Sequence, residues 1–241
     1  MTFNQLEFNI RFEWGEHGVN QLAPISDVVI IVDVLSFTTC VDVAVSRGAI
    51  IFPYRGLAVE LPAYAASVNA DWADKKRSAG RYTLSPTSLN TIPSGTRLVL
   101  PSPNGSTLTL AAKPTPVLAG CLRNAEAVAQ AASQMGQNIS VIAAGERWWA
   151  DTSLRPSFED LLGAGAIFHH LTGNFSPEAM SAVAAFRGLQ AEIGVYLKRC
   201  SSGKELIEKG FAEDVVLAAQ LDMSDCVPVL VEDAYAPFTS P

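Results

Sequence analysis

The stretch that most constrains the fold is Val28 to Tyr54, VVIIVDVLSFTTCVDVAVSRGAIIFPY. It opens on an unbroken apolar run, Val28 to Val32, with no polar alternation. A β-branched run of that kind reads as a strand buried on both faces, the habit of a parallel sheet covered by helices. Ser36 then stands where a helix N-cap belongs, and Val41, Ala44 and Val45 recur at helical spacing. Gly48 suits the helix stop, and Ile50 to Tyr54 reads as the next strand. The unit is therefore β-α-β. Asp33 lies at the carboxyl end of its first strand, and the hydroxyls of Ser36, Thr38 and Thr39 lie at the helix opening. Open α/β sheets bind ligands at that edge, where orphan helix amides attract anions. A local cap or salt bridge is the simpler role for Asp33, but burying an acid there is costly without a partner.

The pattern recurs along the chain. Leu98 to Leu100 reads as a short strand, PSPNG as a loop, and Ser106 as the start of a helix. Asn104, Gly105, Ser106 and Thr107 offer an anion a flexible glycine, an amide, two hydroxyls and free helix N–H groups, although Asn-Gly is also an ordinary turn. Pro116 to Gly120 is a third strand, followed by Cys121, Arg123 and a helix over Ala125 to Met135 capped by Asn124. Ile139 to Ala144 is a fourth, followed by Glu146 and Arg147. The spacing predicts a loop over Ala150 to Pro156, containing Arg155, then a helix from Ser157 to Leu171. In a parallel sheet these strand ends share one edge, so four polar loops converge. Glu159 and Asp160 fall in the first turn of the Ser157 helix, where acids also compensate the helix dipole. Neighbouring helical positions point about 100° apart, so at most one of the two is expected to face Asp33 directly.

Elsewhere the reading is coarser. Residues 3 to 14 alternate loosely as a first strand, and Trp14 to Gly18 reads as a turn holding His17. Leu57 to Ala70 reads as a helix broken near Pro62, and the basic triplet Lys75, Lys76 and Arg77 as a solvated face. His169 and His170 read as packing or surface residues. Helix is expected from Leu171 to about Asp222, interrupted near Gly173–Pro177 and at Gly203 and Gly210. Val227 to Val231 is a last strand, with a frayed tail from Glu232.

Composition narrows the function. The 241 residues are 49% hydrophobic, with a mean hydropathy of +0.21, enough to fill one large α/β domain over 1–241 or two closely packed lobes. No apolar run approaches the roughly 20 residues of a membrane span, and the N-terminus lacks a signal-peptide pattern. A cytoplasmic protein without a membrane partner is expected. A net charge of −7 and the lack of a basic cluster with interleaved aromatics argue against nucleic acid. The four cysteines are far apart and form no CxxC pair, so neither zinc nor a disulfide framework is indicated. Acidic α/β enzymes of this size are often dimers, which makes a homodimer the assembly to look for.

Carboxylates, hydroxyls, glycines and arginines without a cofactor fingerprint suit metal-assisted handling of a phosphate, since Mg²⁺ prefers hard oxygen ligands. Several phosphatase solutions are excluded. Val34-Leu35 follow Asp33, so no DxD exists; Cys40 to Arg47 is one residue too long for Cys-x5-Arg; and neither Arg-His-Gly nor GxxxxGK[ST] occurs.

The ordered blocks VVIIVDVLSFTTCVDVAVSRGA, PSPNGSTL, GCLRNAEAVA, AAGE, FEDLLGAGAI and GKELIEKGFAEDVVLAAQLDMSDCVPVL resemble the 2-phosphosulfolactate phosphatase (ComB-like) family over nearly the whole chain. Relatives often carry Arg-Ala-Thr-Thr after the VDVL block, where this chain has Ser36-Phe37-Thr38-Thr39. The resemblance implies a three-layer α/β/α fold with a largely parallel or mixed sheet. It also implies a Mg²⁺-dependent phosphatase releasing 3-sulfolactate and phosphate from 2-phospho-3-sulfolactate, a step of coenzyme M biosynthesis. On that reading Asp33 and one of Glu159 and Asp160 bind the metal. Ser36, Thr38, Thr39 and Asn104 to Thr107 hold phosphoryl oxygens, with Asn124 and Glu146 at the same rim. Arg123, Arg147 or Arg155 engages the acid groups of a small phosphorylated substrate. Cys121 at a helix opening is an alternative nucleophile, and a non-catalytic anion binder on the same fold is the alternative function.

Overall fold

The computed structural model of the chain describes residues 2–74 and 81–238. The triplet Lys75 to Arg77 lies outside the described residues. The strands are β1 (Ile10–Trp14), β2 (Val28–Val32), β3 (Ile50–Tyr54), β4 (Asp71–Trp72), β5 (Arg97–Pro101), β6 (Val117–Gly120), β7 (Ile139–Ala143), β8 (Glu146–Arg147), β9 (Leu154–Arg155), β10 (Pro228–Val231) and β11 (Ala234–Pro237). The helices are α1 (Gly15–Leu22), α2 (Phe37–Ser46), α3 (Leu61–Ser67), α4 (Pro86–Leu89), α5 (Gly105–Ala111), α6 (Ala125–Met135), α7 (Phe158–His169), α8 (Pro177–Leu189), α9 (Ile193–Arg199), α10 (Ser201–Glu208) and α11 (Ala212–Ala218).

Nine strands form one mixed sheet in the order β1-β7-β2-β6-β10-β11-β3-β5-β4. Its two wings, β1-β7-β2-β6 and β3-β5-β4, are each parallel internally. The antiparallel hairpin β10–β11 joins them through antiparallel contacts at Val229–Leu118 and Tyr235–Ile51. Every residue of β2 is fully buried, as its unbroken apolar run requires. Val28, Ile30 and Val32 pack with α6, α7 and α8 on one face, while Val29 and Ile31 pack with α1 and α2 on the other, giving the three-layer α/β/α arrangement. Each such side chain contributes roughly 1.5–3 kcal/mol of burial free energy.

The strand order has a consequence for the site. β2 and β5 stand five strand spacings apart, about 24 Å in a flat sheet, and the four residues from Pro101 to Gly105 reach about 14 Å. Yet the Gly105 amide hydrogen-bonds the Asp33 carboxylate. The sheet therefore curls, so that the β3-β5-β4 wing wraps the α1/α2/α5 layer: Ile51, Leu98 and Leu100 share a core with Val29 and Ile31. The sequence expectation of one common parallel edge holds for β2, β6 and β7. The β5 loop reaches the same place by curvature.

Several local expectations change. Trp14 to Gly18 is the start of α1 rather than a turn. The Ala150 to Pro156 loop closes with the small β8–β9 ladder. Gly203 lies inside α10. The expected frayed tail instead forms β11, because Glu232 and Asp233 turn the chain back onto β10. Among the described residues no helix is long and apolar enough to cross a membrane.

The small-residue segment of α7 sets where its acidic first turn lies. A methyl group at Gly163 would come within 2.6 Å of Val34 and 2.9 Å of Val32, and one at Gly165 would overlap the Ala182 carbonyl and approach Phe186 Cβ at 2.7 Å. The helix is thus seated between the end of β2 and α8. Gly165→Val should lower unfolding free energy by about 1–3 kcal/mol or more, measured by urea denaturation. Unchanged stability would show that this contact is not tight.

Candidate active site

Asp33 is 6% exposed and follows β2 directly. Its turn is closed from within: the Thr38 amide and hydroxyl both donate to the Asp33 carbonyl at 2.9 Å, the Asp33 amide donates to Thr38 Oγ1 at 3.0 Å, and Thr39 Oγ1 donates to the Val34 carbonyl at 2.7 Å. These two hydroxyls are committed to the turn, which replaces the expectation that they hold phosphoryl oxygens. Ser36 is buried at the N-cap of α2. The Asp33 carboxylate accepts the Phe37 amide on Oδ1 at 3.2 Å and the Gly105 amide on Oδ2 at 2.9 Å, with Ser102 Oγ 3.5 Å from Oδ2. A methyl group on Gly105 would overlap the Phe37 ring and stand 2.8 Å from Asp33 Oδ2, so only glycine allows this approach. Ser106 donates to the Leu100 carbonyl at 3.0 Å, stiffening its own turn.

The other acids come from β8, just after β7, and from α7. Asn104 Nδ2 donates to Glu146 Oε2 at 3.2 Å. Asp160 accepts the Val34 amide at 2.8 Å and the Gly145 amide at 2.9 Å, so it ties the ends of β2 and β7 together. Each of its oxygens takes one amide, as each oxygen of Asp33 does, and Asp160 bridges the two strand ends. Glu159 is 2% exposed, and its charge acts on Asp33, Glu146 and Asp160. Asp160 is thus bonded to backbone amides, while the Glu159 charge acts on Asp33.

These charges repel. Burial, then Glu146 and Glu159, push Asp33 up to about 7 against the opposing amide bonds from Phe37 and Gly105. Asp160 is raised by burial and by Glu159 and Asp33, and Glu146 by burial and Glu159, with Arg155 pulling the other way. Arg155 also packs 5.7 Å from the Trp148 ring centre.

A cleft of about 480 Å³ opens beside this cluster, bounded by Asn104, Thr107, Glu146, Arg147, His17 and Asn20 among others. Arg147 is paired across it with Glu16 at 3.5 Å. Sequence reasoning missed the contribution of α1, having read its first residues as a turn. It also missed Ser102, the Cys200 thiol, which donates to the Leu197 carbonyl at 3.1 Å and is raised to about 12 by burial and the Glu159 charge, and Ser157, whose hydroxyl is buried without a hydrogen-bond partner among the described residues. Ser157 was legible as a helix cap; nothing in the sequence joined Cys200 to Glu159.

Three expected site residues serve elsewhere. Arg123 donates to the fully buried Asp42 at 2.8 Å and also bonds Gln220, while Ser224 holds the other Asp42 oxygen at 2.5 Å. Asn124 accepts the Cys121 amide at 2.8 Å and donates to the Cys226 carbonyl at 3.1 Å. Cys121 is fully buried, and burial and Asp42 raise its thiol, which keeps it protonated and removes the case for a nucleophile. This polar group anchors the C-terminal segment to α2.

The donor chemistry suits a hard divalent cation: Asp33 and Glu159 offer carboxylate oxygens in a place short of positive charge. Among the described residues no three His, Cys, Asp or Glu side chains are gathered at metal-binding geometry. Mg²⁺ commonly takes only one or two carboxylates and completes its shell with water and substrate oxygens, so the residues fit.

An α/β protein with buried acids beside a cleft at its strand ends is the class these features define. The family model described as 2-phosphosulpholactate phosphatase matches residues 17–233, and the chain belongs to that family. It is 30% identical over 135 residues to the 2-phosphosulfolactate phosphatase of Methanothermobacter thermautotrophicus, covering 56% of each chain. It is 27% identical over 226 residues to a "Probable 2-phosphosulfolactate phosphatase" of Cyanothece sp., covering 85% of this chain and 89% of that one. A protein named in the same words from Pseudothermotoga lettingae is 24% identical over 212 residues, 86% and 91% of the two chains.

Two predictions follow from the geometry. In the metal-free protein Asp33 keeps its proton in the fold to about pH 7 but loses it near 4 when unfolded. The folded state therefore binds more protons between those values, and stability falls as pH rises from about 4 to 7. Thermal melts in EDTA should show that fall, and Asp33→Asn should make it shallower, with Asp160 and Glu146, also raised, keeping the remainder; a wild-type melting temperature that rises across the window would contradict the buried acid. Arg123→Met should cost about 3–5 kcal/mol by stranding Asp42 while leaving substrate KM unchanged. A raised KM at normal stability would return Arg123 to the site.

Proposed function

We propose that the chain is a Mg²⁺-dependent phosphoric monoester hydrolase acting on 2-phospho-3-sulfolactate or a closely related phosphorylated hydroxy acid. The observation that carries this reading is the buried Asp33 carboxylate, bonded by the Gly105 amide and acted on by Glu146 and Glu159. Family membership and the names of the relatives supply the reaction class.

Asp33 and Glu159 are the residues that would hold Mg²⁺, which when bound neutralises charge on the phosphoryl group. The chain's own groups do the rest. Asn104 and the hydroxyl of Thr107 orient phosphoryl oxygens from the cleft wall. Glu146 borders the same cleft and is placed to take or return the proton of the attacking water at Oε1 or Oε2. Its bond from Asn104 fixes the carboxylate's direction. Arg155 offsets the local negative charge. Asp160 holds the β2 and β7 ends at fixed separation, so that these groups need no rearrangement at the moment of reaction.

The test is phosphate release from a panel of phosphate esters that includes phosphosulfolactate and phospholactate. Release should stop in EDTA and return with Mg²⁺, and Asp33→Asn should lower kcat/KM by about 10²- to 10⁴-fold with the fold intact. Full turnover in EDTA or in Asp33→Asn would reject the metal role. Phosphate binding without release from any ester would instead identify a non-catalytic anion binder.

A further inference from the structure

The cleft that Asn104, Thr107 and Glu146 line also carries a cation. Among its described lining residues Arg147 is the one lysine or arginine. Of the three arginines that the sequence offers for an acid group, Arg123 is spent on Asp42, and Arg155 packs on Trp148 outside the lining. Arg147 follows Glu146 directly on β8, and Glu146 takes its bond from Asn104 at 3.2 Å. At about 480 Å³ the cleft falls within the roughly 300–1,000 Å³ of small-molecule sites, so both ends of one small acid can lie in it together.

The Arg147 guanidinium is aimed by its own hairpin. Nη1 donates to the Thr152 carbonyl at 3.1 Å. The turn between is closed by the Thr152 amide to the Trp148 carbonyl and the Trp148 amide to the Ser153 carbonyl, both at 2.9 Å. Leu154, opposite Arg147 in the ladder, seats the hairpin: a methyl group on Gly145 would come within 2.8 Å of it, and one on Gly15 within 3.3 Å. The hairpin thus rests on the end of β7 and the start of α1. Nη2 is turned to Glu16, 3.5 Å away on the first turn of α1. That pair is long and both side chains are 47% exposed, and such pairs contribute little, since water replaces either partner at small cost. A carboxylate or sulfonate held nearby through its own phosphate competes with Glu16 at a high effective concentration, and it meets the guanidinium through charge-assisted N–H bonds.

We propose that Arg147 takes the acid group that the substrate carries in addition to its phosphate, and that Glu16 is the internal counter-ion this group displaces. The proposal rests on the reading of the Asp33 cluster as a phosphatase site and names the residue that selects the substrate there. Glu16 sharpens the selection. A neutral substituent gains nothing by parting the pair, whereas an anionic one exchanges one ion pair for another.

Binding without turnover separates this inference from the catalytic reading. Calorimetric titration with 3-sulfolactate, with lactate and with inorganic phosphate, all in Mg²⁺, would be run on wild type, Arg147→Met, Arg147→Lys, Glu16→Gln and the Arg147→Met/Glu16→Gln double variant. Loss of a charge-assisted hydrogen-bonded pair weakens binding about tenfold or more. Arg147→Met should therefore lose about ten times more affinity for 3-sulfolactate than for phosphate, with Arg147→Lys between it and wild type. Glu16→Gln removes the competitor and should raise 3-sulfolactate affinity about two- to fivefold, with no such gain in the double variant. A folding defect cannot produce that gain. A loss in Arg147→Met that lactate shares places the carboxylate on Arg147; one confined to 3-sulfolactate places the sulfonate there. Equal affinity of wild type and Arg147→Met for 3-sulfolactate, or no binding of it to wild type, overturns the subsite. No gain in Glu16→Gln, or one that survives in the double variant, overturns the counter-ion role. Absence of ester hydrolysis by wild type would instead defeat the phosphatase reading, and the binding result would still decide Arg147.

Discussion

The arrangement depends on one hydrogen bond between distant parts of the sheet, from the Gly105 amide to the Asp33 carboxylate at 2.9 Å. It requires a glycine, because a Cβ would strike Phe37 and the carboxylate itself, and it requires the sheet to curl until the β5 loop meets the end of β2. In return it supplies the partner without which a buried acid at that strand end would be prohibitively costly. Two amides solvate Asp33 on one side while two further acids press on it from the other. A carboxylate held this way is short of positive charge, and a bound cation would relieve that shortage.

The surrounding elements serve this placement. The β2 run is apolar on both faces because helices cover both, which leaves Asp33 as the point where the strand emerges. The glycines of α7 let that helix sit against Val32 and Val34, so that its first turn, rather than its body, meets the strand end. Asp160 then pins Val34 and Gly145, and the Glu159 charge acts on Asp33. Small residues deep in a helix therefore fix the position of acids one turn from its start.

Much of this was legible in the chain. Continuous β-branched runs marked β2 and β7, Asn104–Gly105 marked the second loop, and the acid pair before the GAGA segment marked α7. Local pattern failed where the determining contact was long-range. Cys121 and Arg123 follow a strand just as Asp33 does, but Asp42 and Ser224, far away in sequence, draw them into a structural anchor. Thr38 and Thr39 have the residue types of an oxyanion cradle, yet their hydroxyls close the Asp33 turn. The opening of α1 was missed because Gly15 and Gly18 punctuate it, although Gly18 is needed there to clear Glu13. The curl of the sheet left no periodic trace, since it brings together strands that are five places apart in the sheet order.

Carbon-13 NMR titration of the Asp33 carboxyl carbon in the metal-free protein tests most directly whether acids from separate strand ends share one site. The expected midpoint is about 7, moving downward in Glu146→Gln as the neighbouring charge is removed. A midpoint in the ordinary aspartate range near 4, indifferent to Glu146, would contradict the shared site.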